Sequence, residues 1–241
     1  MQYRERVVNP IARWVECLWS VDAPEALRGY SVLPDGCIDI IYASGRLQVT
    51  GAMSREKRFD LPAGTRTIGI RFHPGMAGHF LRLPAQEITD CTIPLEELWG
   101  SAALELQSRL AESRSADDCC KILAEALAAP QREPSRTQRA VETIRAAHGD
   151  IDIQWVIEQT GVTERQFRRR LLEETGLSPK KLCRVLRFRR SCALRTQGLP
   201  WSLVAAEAGY FDQAHLIRDF REFSGSSPMS VFSNTPGGVL G

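Results

Sequence analysis

The stretch "GVTERQFRRRLLEETGLSP", residues 161–179, decides the fold of the C-terminal half. Thr163 and Gln166 have the spacing of a capping box, which marks the first turn of a helix. Gly176 and then Pro179 mark where that helix stops. The stretch therefore predicts an amphipathic helix that carries four arginines, at positions 165, 168, 169 and 170, on few core residues.

At about 100° per residue, Phe167 and Leu171 share one face of this helix, and three arginines fall on the opposite face. These three are Arg165, Arg168 and Arg169. An arginine can donate two hydrogen bonds to a guanine in the major groove, and the N-terminal part of a recognition helix faces the base edges. The alternative is a solvated arginine face with scattered ion pairs.

An internal repeat favours the DNA interpretation. Residues 156–179 and 204–228 each read as a helix, a glycine turn, a second helix and a Gly-x-Ser-Pro stop, which is the pattern of a helix-turn-helix unit written twice. In the second copy, Leu216 and Phe220 form the core face. The residues expected to face outward or lie nearby are Gln213, Ala214, His215, Ile217, Arg218 and Arg221. Contacts to thymine methyls are expected from Ile217 or Ala214.

A helix predicted over residues 179–197 joins the two copies. Its roughly 18 residues would span about 27 Å, which is near the ~34 Å of one DNA turn that separates successive major grooves. We expect its basic residues to contact phosphates, beginning with Lys180 and Lys181 and continuing with Arg184, Arg187, Arg189 and Arg190.

Three motifs carry a family resemblance: "GVTERQFRRRLLEETGLSP", "RVLRFRRSCALR" and "VAAEAGYFDQAHLIRDFREFSGSSP". Over residues 136–233 the chain resembles the AraC/XylS family of bacterial transcription regulators. The resemblance implies a seven-helix domain with two helix-turn-helix units and recognition helices at about 163–174 and 212–223. It also implies that the partner is double-stranded promoter DNA. Ile217 departs from the family pattern, where a polar reading residue is expected.

The N-terminal half has a different character. Residues 1–134 carry 15 Lys and Arg against 18 Asp and Glu, a net charge of −3, while residues 135–241 carry 16 against 11, a net of +5. The segments 37–42, 46–51 and 67–73 read as short strands separated by Gly and Pro turns. Helical patterns follow over 94–129, and the Pro-rich stretch 128–136 marks a boundary.

The expected fold is therefore α+β, with two domains. The first, 1–130, is a small antiparallel sheet or barrel with trailing helices, which we interpret as a sensor and dimerisation module. The second, 135–233, is the double helix-turn-helix domain. The segments "LPDGCIDIIY", "GIRFHPGMAGHFL" and "ITDCTIPLEELWG" resemble the sensor-type, DUF6597-like N-terminal domain found on some of these regulators.

An effector pocket is predicted in the first domain. Cys37 and Asp39 share one strand face, and Arg71 and His73 share another, so neighbouring strands would pair Asp39 with Arg71. Trp19, Tyr30 and Tyr42 are expected to complete an apolar cup with these polar anchors. The alternative is a structural ion pair beside a tight Pro-Asp-Gly turn. Cys37 as a redox or electrophile sensor would require a lowered thiol pKa.

Other classes of protein find less support in the sequence. His73 and His79 are six apart with no His-x-His, so we expect no metal, no cofactor and no catalytic residues. The rival function is a small barrel enzyme, a metal-dependent dioxygenase or a hydrolase, with an accessory helical domain. A helical interaction adaptor is the third class. Seven cysteines without a C-x-x-C pair, no signal segment and no apolar run of about 18 residues predict a cytoplasmic protein. A homodimer and a contact with RNA polymerase are further expectations.

Overall fold

The computed structural model describes residues 2–7, 11–127 and 133–233. The predicted boundary at 128–136 lies largely outside the described residues, as does the tail from residue 234 onward. Strands fill the first half and helices the second, which confirms the α+β prediction. None of the described helices is long and apolar enough to cross a bilayer.

Antiparallel strands build the first half. They are β1 (Gln2–Arg6), β2 (Val15–Ala23), β3 (Leu27–Val32), β4 (Ile38–Ala43), β5 (Arg46–Thr50), β6 (Lys57–Leu61), β7 (Thr65–Phe72) and β8 (Thr92–Pro94). Six of them form one sheet in the order β1-β2-β7-β4-β5-β8, and β3 pairs with β6 in a second. The three strands predicted from sequence correspond to β4, β5 and β7. Strand β2 was not predicted. Nearly all of "VECLWSVDA" is buried, so apolar and polar residues hardly alternate along it.

Helices surround and follow the sheet. Those of the first half are α1 (Gly78–Leu81), α2 (Glu96–Trp99), α3 (Ser101–Ala111) and α4 (Ala116–Ala126), with a 3-10 helix at Ala85–Ile88. Those of the second half are α5 (Arg136–Ala146), α6 (Ile153–Thr160), α7 (Glu164–Thr175), α8 (Pro179–Thr196), α9 (Trp201–Glu207), α10 (Gln213–Ser224) and α11 (Pro228–Ser233). The predicted capping box of Thr163 and Gln166 forms, and the Ser178 hydroxyl caps α8 by accepting from the Lys181 amide.

The two halves pack against each other through one hydrophobic core. Buried residues of the sheet, of α3 and α4 and of the second-half helices belong to a single cluster. Polar contacts cross the same boundary: Gln138 Nε2 donates to the Gly75 carbonyl at 2.9 Å, and Arg189 pairs with Glu16. The sheet and the helical half therefore share a close interface among the described residues.

Candidate nucleic-acid interface and ligand cavity

Helix α7 presents its arginines to solvent. Phe167 and Leu171 are fully buried beneath it, whereas Arg165, Arg168 and Arg169 are exposed, as the helical geometry predicted. The side chains of Arg168 and Arg169 are 67% and 69% exposed. Their ion pairs are local, to Glu164 at 2.5 Å and to Glu173 at 3.7 Å. Exposed i,i+4 pairs of this kind contribute little, so the arginines are accessible to a polyanion.

Helix α10 repeats this arrangement with fewer charges. Gln213, Ala214, Arg218 and Arg221 are exposed, and the Asp212 carboxylate caps the helix by accepting from the His215 amide at 2.6 Å. His215 is half-buried, with its ring edge-on to Tyr210 at 5.1 Å.

Ile217 departs from the prediction that it faces outward. It is half-buried and packs against the main core, because its position on α10 lies between the exposed and buried faces.

The basic residues of α8 correct a second expectation. Lys180 is exposed, but Lys181 is half-buried and its Nζ lies 2.6 Å from Glu222 Oε1. Arg184 donates to the buried Asp219 at 2.6 Å and also pairs with Glu222. Both side chains are therefore engaged in holding α10 against α8, a role that the phosphate interpretation had not assigned to them.

Two further arginines of α8 have partners elsewhere. Arg187 Nη1 donates to the Gly149 carbonyl at 3.1 Å, and its guanidinium lies 5.9 Å from the Tyr210 ring centre. Arg189 pairs with Glu16 of strand β2. Burial would raise the pKa of Glu16, but the hydrogen bonds from Arg189 lower it to about 2. This ion pair fixes α8 to the sheet.

A cavity of about 180 Å³ lies between the two sheets of the first half. Its walls are mainly apolar and aromatic, with Tyr3, Trp19, Tyr30 and Phe59 among the lining residues. Gly69 allows this arrangement, because a Cβ there would stand 2.4 Å from the Trp19 ring. The predicted pocket residues Trp19, Tyr30, Cys37, Asp39 and Arg71 all line this cavity.

A buried charge cluster forms one end of the cavity. Asp39 and Arg71 are register partners on β4 and β7, and Arg71 Nε lies 3.4 Å from Asp39 Oδ1 and 3.2 Å from Asp35 Oδ2. Trp19 Nε1 donates to Asp39 at 2.6 Å. Burial, opposed by Arg71, raises the pKa of Asp39 to about 6. One guanidinium thus pairs with two buried carboxylates, and its Nη1 also lies 3.7 Å from Oε1 of the exposed Glu5.

Two predicted pocket residues do not line this cavity. Tyr42 alternates to the other face of β4 and packs against the main core. His73 follows the end of β7, where its Nε2 lies 3.3 Å from the Ala12 carbonyl oxygen, and burial lowers its pKa.

The environment of Cys37 does not favour a reactive thiol. The thiol is buried, and burial raises its pKa well above the usual value, which removes the physical basis for a redox or electrophile sensor.

Sequence reasoning missed several residues at both sites. Asp35 was assigned only to a turn, although the structure places its carboxylate 3.2 Å from Arg71 Nε. Tyr3 and Phe59 lie on strands that showed no clear signal. Phe211, directly before the Asp212 cap of α10, is 94% exposed, and sequence reasoning assigned no role to it.

These features define a class of protein: a β-rich half with an internal cavity, packed on two helix-turn-helix units. The units are formed by α6 with α7 and by α9 with α10, and α7 and α10 expose arginines. Residues 156–234 match the model of a helix-turn-helix domain (HTH_18), and residues 8–94 match a domain of unknown function (DUF6597). The chain therefore carries an AraC-type helix-turn-helix domain behind a DUF6597 domain, which confirms the resemblance. It is a DNA-binding regulator of transcription.

Solved structures of ToxT from Vibrio cholerae are similar to this chain. The ligand-free form of a single-residue variant from strain SCE256 has a TM-score of 0.46 at 12% identity, covering 89% of this chain and 95% of that one. The unsaturated fatty acid bound form has 0.46 at 10% identity, covering 92% and 95%. A structure at 1.65 Å resolution has 0.44 at 9% identity, covering 98% and 100%. No curated protein sequence gives a significant match.

Proposed function

We propose that this regulator reads two successive major grooves with α7 and α10, and that a small molecule in the cavity modulates its DNA affinity. The observation that supports the first part is the exposure of Arg165, Arg168 and Arg169 on a helix whose opposite face is buried. RNA polymerase and a second copy of the chain are the partners that we propose beside DNA.

The second part is supported by where the first half contacts the reading helices. Thr89 Oγ1 donates to the carbonyl of Gly176, the residue that ends α7, at 2.9 Å. The Glu56 amide donates to the carbonyl of Phe223, in the last turn of α10, at 2.6 Å. The first half therefore contacts both reading helices at the end opposite to the one that would face bases.

These contacts adjoin the cavity wall. Met53 lines the cavity, and the next residue, Ser54, is joined to Asp90 by hydrogen bonds of 2.7 and 2.6 Å to the two carboxylate oxygens. Thr89 precedes Asp90, and Glu56 follows Ser54 by two residues. A ligand that displaces this wall would shift both contacts together.

The Pro-Asp-Gly turn offers a route from the other end of the cavity to α8. Asp35 faces Arg71 inside, while a Cβ at Gly36 would stand 3.2 Å from Leu182 of α8. Gly36 has a φ of +82°, so a side chain there would be strained as well as crowded. A ligand that engages Arg71 or Asp35 would press on the helix that spaces the two reading helices.

Binding sites selected from a pool of random duplexes test this function. We expect the wild-type chain to enrich a motif with two blocks about one helical turn apart, and its binding to fall steeply with salt. Arg165→Ala with Arg169→Ala should abolish the enrichment. Arg114→Ala, an exposed arginine between α3 and α4, is the matched control and should leave it intact. Failure of the wild type to enrich any motif would refute sequence-specific binding.

A further inference from the structure

The cavity in the first half has more negative than positive charge in its lining. Arg71 is the single cationic side chain among the lining residues that the structure describes, whereas Asp35, Asp39 and Asp60 contribute carboxylates. Arg71 and Asp35 are each about 95% buried, and Asp39 is 9% exposed. Charges held so far from water need compensation. Arg189 of α8 also interacts with Asp35, but it is paired with Glu16, so Arg71 is left to neutralise both Asp35 and Asp39.

The apolar walls add a second feature. The faces of aromatic rings attract cations, and tyrosine and tryptophan recognise ammonium groups better than aliphatic side chains do. Tyr3 and Trp19 stack at 6.4 Å beside the charge cluster, and Tyr30 and Phe59, register partners on β3 and β6, line the same space. An ammonium group with an apolar body would meet carboxylates at one end and rings around it.

We propose that the cavity binds a small apolar cation, an amine or quaternary ammonium with an aromatic or alkyl body, in preference to a carboxylate. This proposal rests on the proposed effector function and specifies the chemical class of the effector. The cation neutralises the carboxylate that Arg71 leaves uncompensated, with Asp39 as its main partner. A carboxylate ligand would instead approach Arg71 past Asp35 and Asp39, against like charge.

The pH dependence of binding follows from the surroundings of Asp39. The groups around it are Arg71 on β7, Asp35 in the preceding turn, Glu16, Cys17 and Trp19 on β2 and, through Arg71, Tyr3 and Glu5 on β1. Arg189 on α8 is paired with Glu16 and interacts with Cys37 and Asp35. Because the pKa of Asp39 is raised to about 6, the ligand-free carboxyl is mostly protonated at pH 5 and ionised at pH 7.5. Cation binding requires the ionised form, so affinity should weaken about tenfold on lowering the pH from 7.5 to 5.

Calorimetry of the full-length chain with three matched compounds tests the proposal: phenethylamine, phenethyl alcohol and phenylacetate. At pH 7.5 we expect phenethylamine to bind at least about tenfold more tightly than phenylacetate. Tighter binding of phenylacetate, equal binding of all three, or no binding of phenethylamine at millimolar concentration would each overturn the proposal.

The variant Asp39→Asn should weaken phenethylamine binding by about tenfold and leave phenethyl alcohol unchanged. Asp22→Asn is the matched control, since Asp22 is on β2, outside the lining of this cavity, and pairs with Arg66 at 2.8 Å. If Asp39→Asn does not fold, the comparison of pH 5 with pH 7.5 on the wild type decides instead. A pH-independent affinity for phenethylamine would contradict the assignment to Asp39.

DNA affinity measured with and without phenethylamine separates this inference from the proposed function. An amine that binds but leaves DNA affinity unchanged would refute the effector role and uphold the ligand class. If phenethylamine binds but the chain shows no sequence preference for DNA, only the proposal that α7 and α10 read the major grooves is refuted. The proposed ligand class then stands.

Discussion

Helices α7 and α10 have the same length and the same kind of cap and stop, yet they are held in place differently. The ion pairs of α7 are exposed and lie within the helix, from Arg168 to Glu164 and from Arg169 to Glu173. Helix α10 has a fully buried carboxylate, Asp219, that pairs with Arg184 of α8. The charges of α7 thus remain available to a ligand, while part of the charge of α10 fixes the helix to its neighbour.

The largest expected effect is on the attachment of α10. Asp219→Ala leaves Arg184 without its buried partner, and we expect it to lower the free energy of unfolding by about 3 kcal/mol. Glu222→Ala removes a half-exposed partner of the same arginine and should cost less than about 1 kcal/mol. Urea unfolding of the two variants measures the difference. Equal losses would mean that α10 is not held by its buried carboxylate.

The next effect is on base reading. Arg165→Ala or Arg169→Ala should cost about 1–3 kcal/mol of binding free energy at a selected site and relax specificity there. Arg218 occupies in α10 the position that Arg169 occupies in α7, so Arg218→Ala is the matched substitution. Fluorescence anisotropy on selected and random duplexes measures both. Equal losses on the two duplexes would show that these arginines contact only phosphates.

A smaller effect concerns the contact between the first half and α7. Thr89→Val removes the hydrogen bond to the Gly176 carbonyl at nearly constant volume, and should cost about 1 kcal/mol. Hydrogen exchange should quicken at the C-terminal amides of α7, while those of α10 serve as the internal reference. Equal acceleration in both helices would indicate general destabilisation instead.

The smallest effect is expected within α7 itself. Glu164→Ala removes the i,i+4 partner of Arg168 and should change stability by only about 0.3–0.5 kcal/mol. Because Arg168 is then freed from its acid partner, DNA affinity should rise slightly at low salt. Glu173→Ala should change stability and DNA affinity less, because the distance between Glu173 and Arg169 is longer, 3.7 Å. Urea midpoints and anisotropy check both, and a loss of DNA affinity in Glu164→Ala would contradict this interpretation.

Much of the DNA-binding half was predictable because its signals are local. Thr163 and Gln166 cap α7 as their spacing indicated, and Gly176 and Gly225 end α7 and α10 with positive φ. Strand β2 and the partial burial of Ile217 were not predictable in this way. Both depend on which face of a strand or helix packs against the rest of the chain. Where both faces are buried, the sequence shows no alternation of apolar and polar residues from which to predict this.

The sequence by itself determined two helix-turn-helix units, their caps, their arginine face and which residues of a strand share a face. Each of these rests on spacings of a few residues or on alternation within a strand. Only the tertiary structure decided which cations are engaged and what encloses the cavity. Arg184 meets Asp219 across 35 positions and Arg189 meets Glu16 across 173, and Tyr3 and Phe59 reach the same space from separate sheets. Charge compensation and enclosure depend on distances between segments far apart in the chain, and these distances exist only once the whole chain has packed.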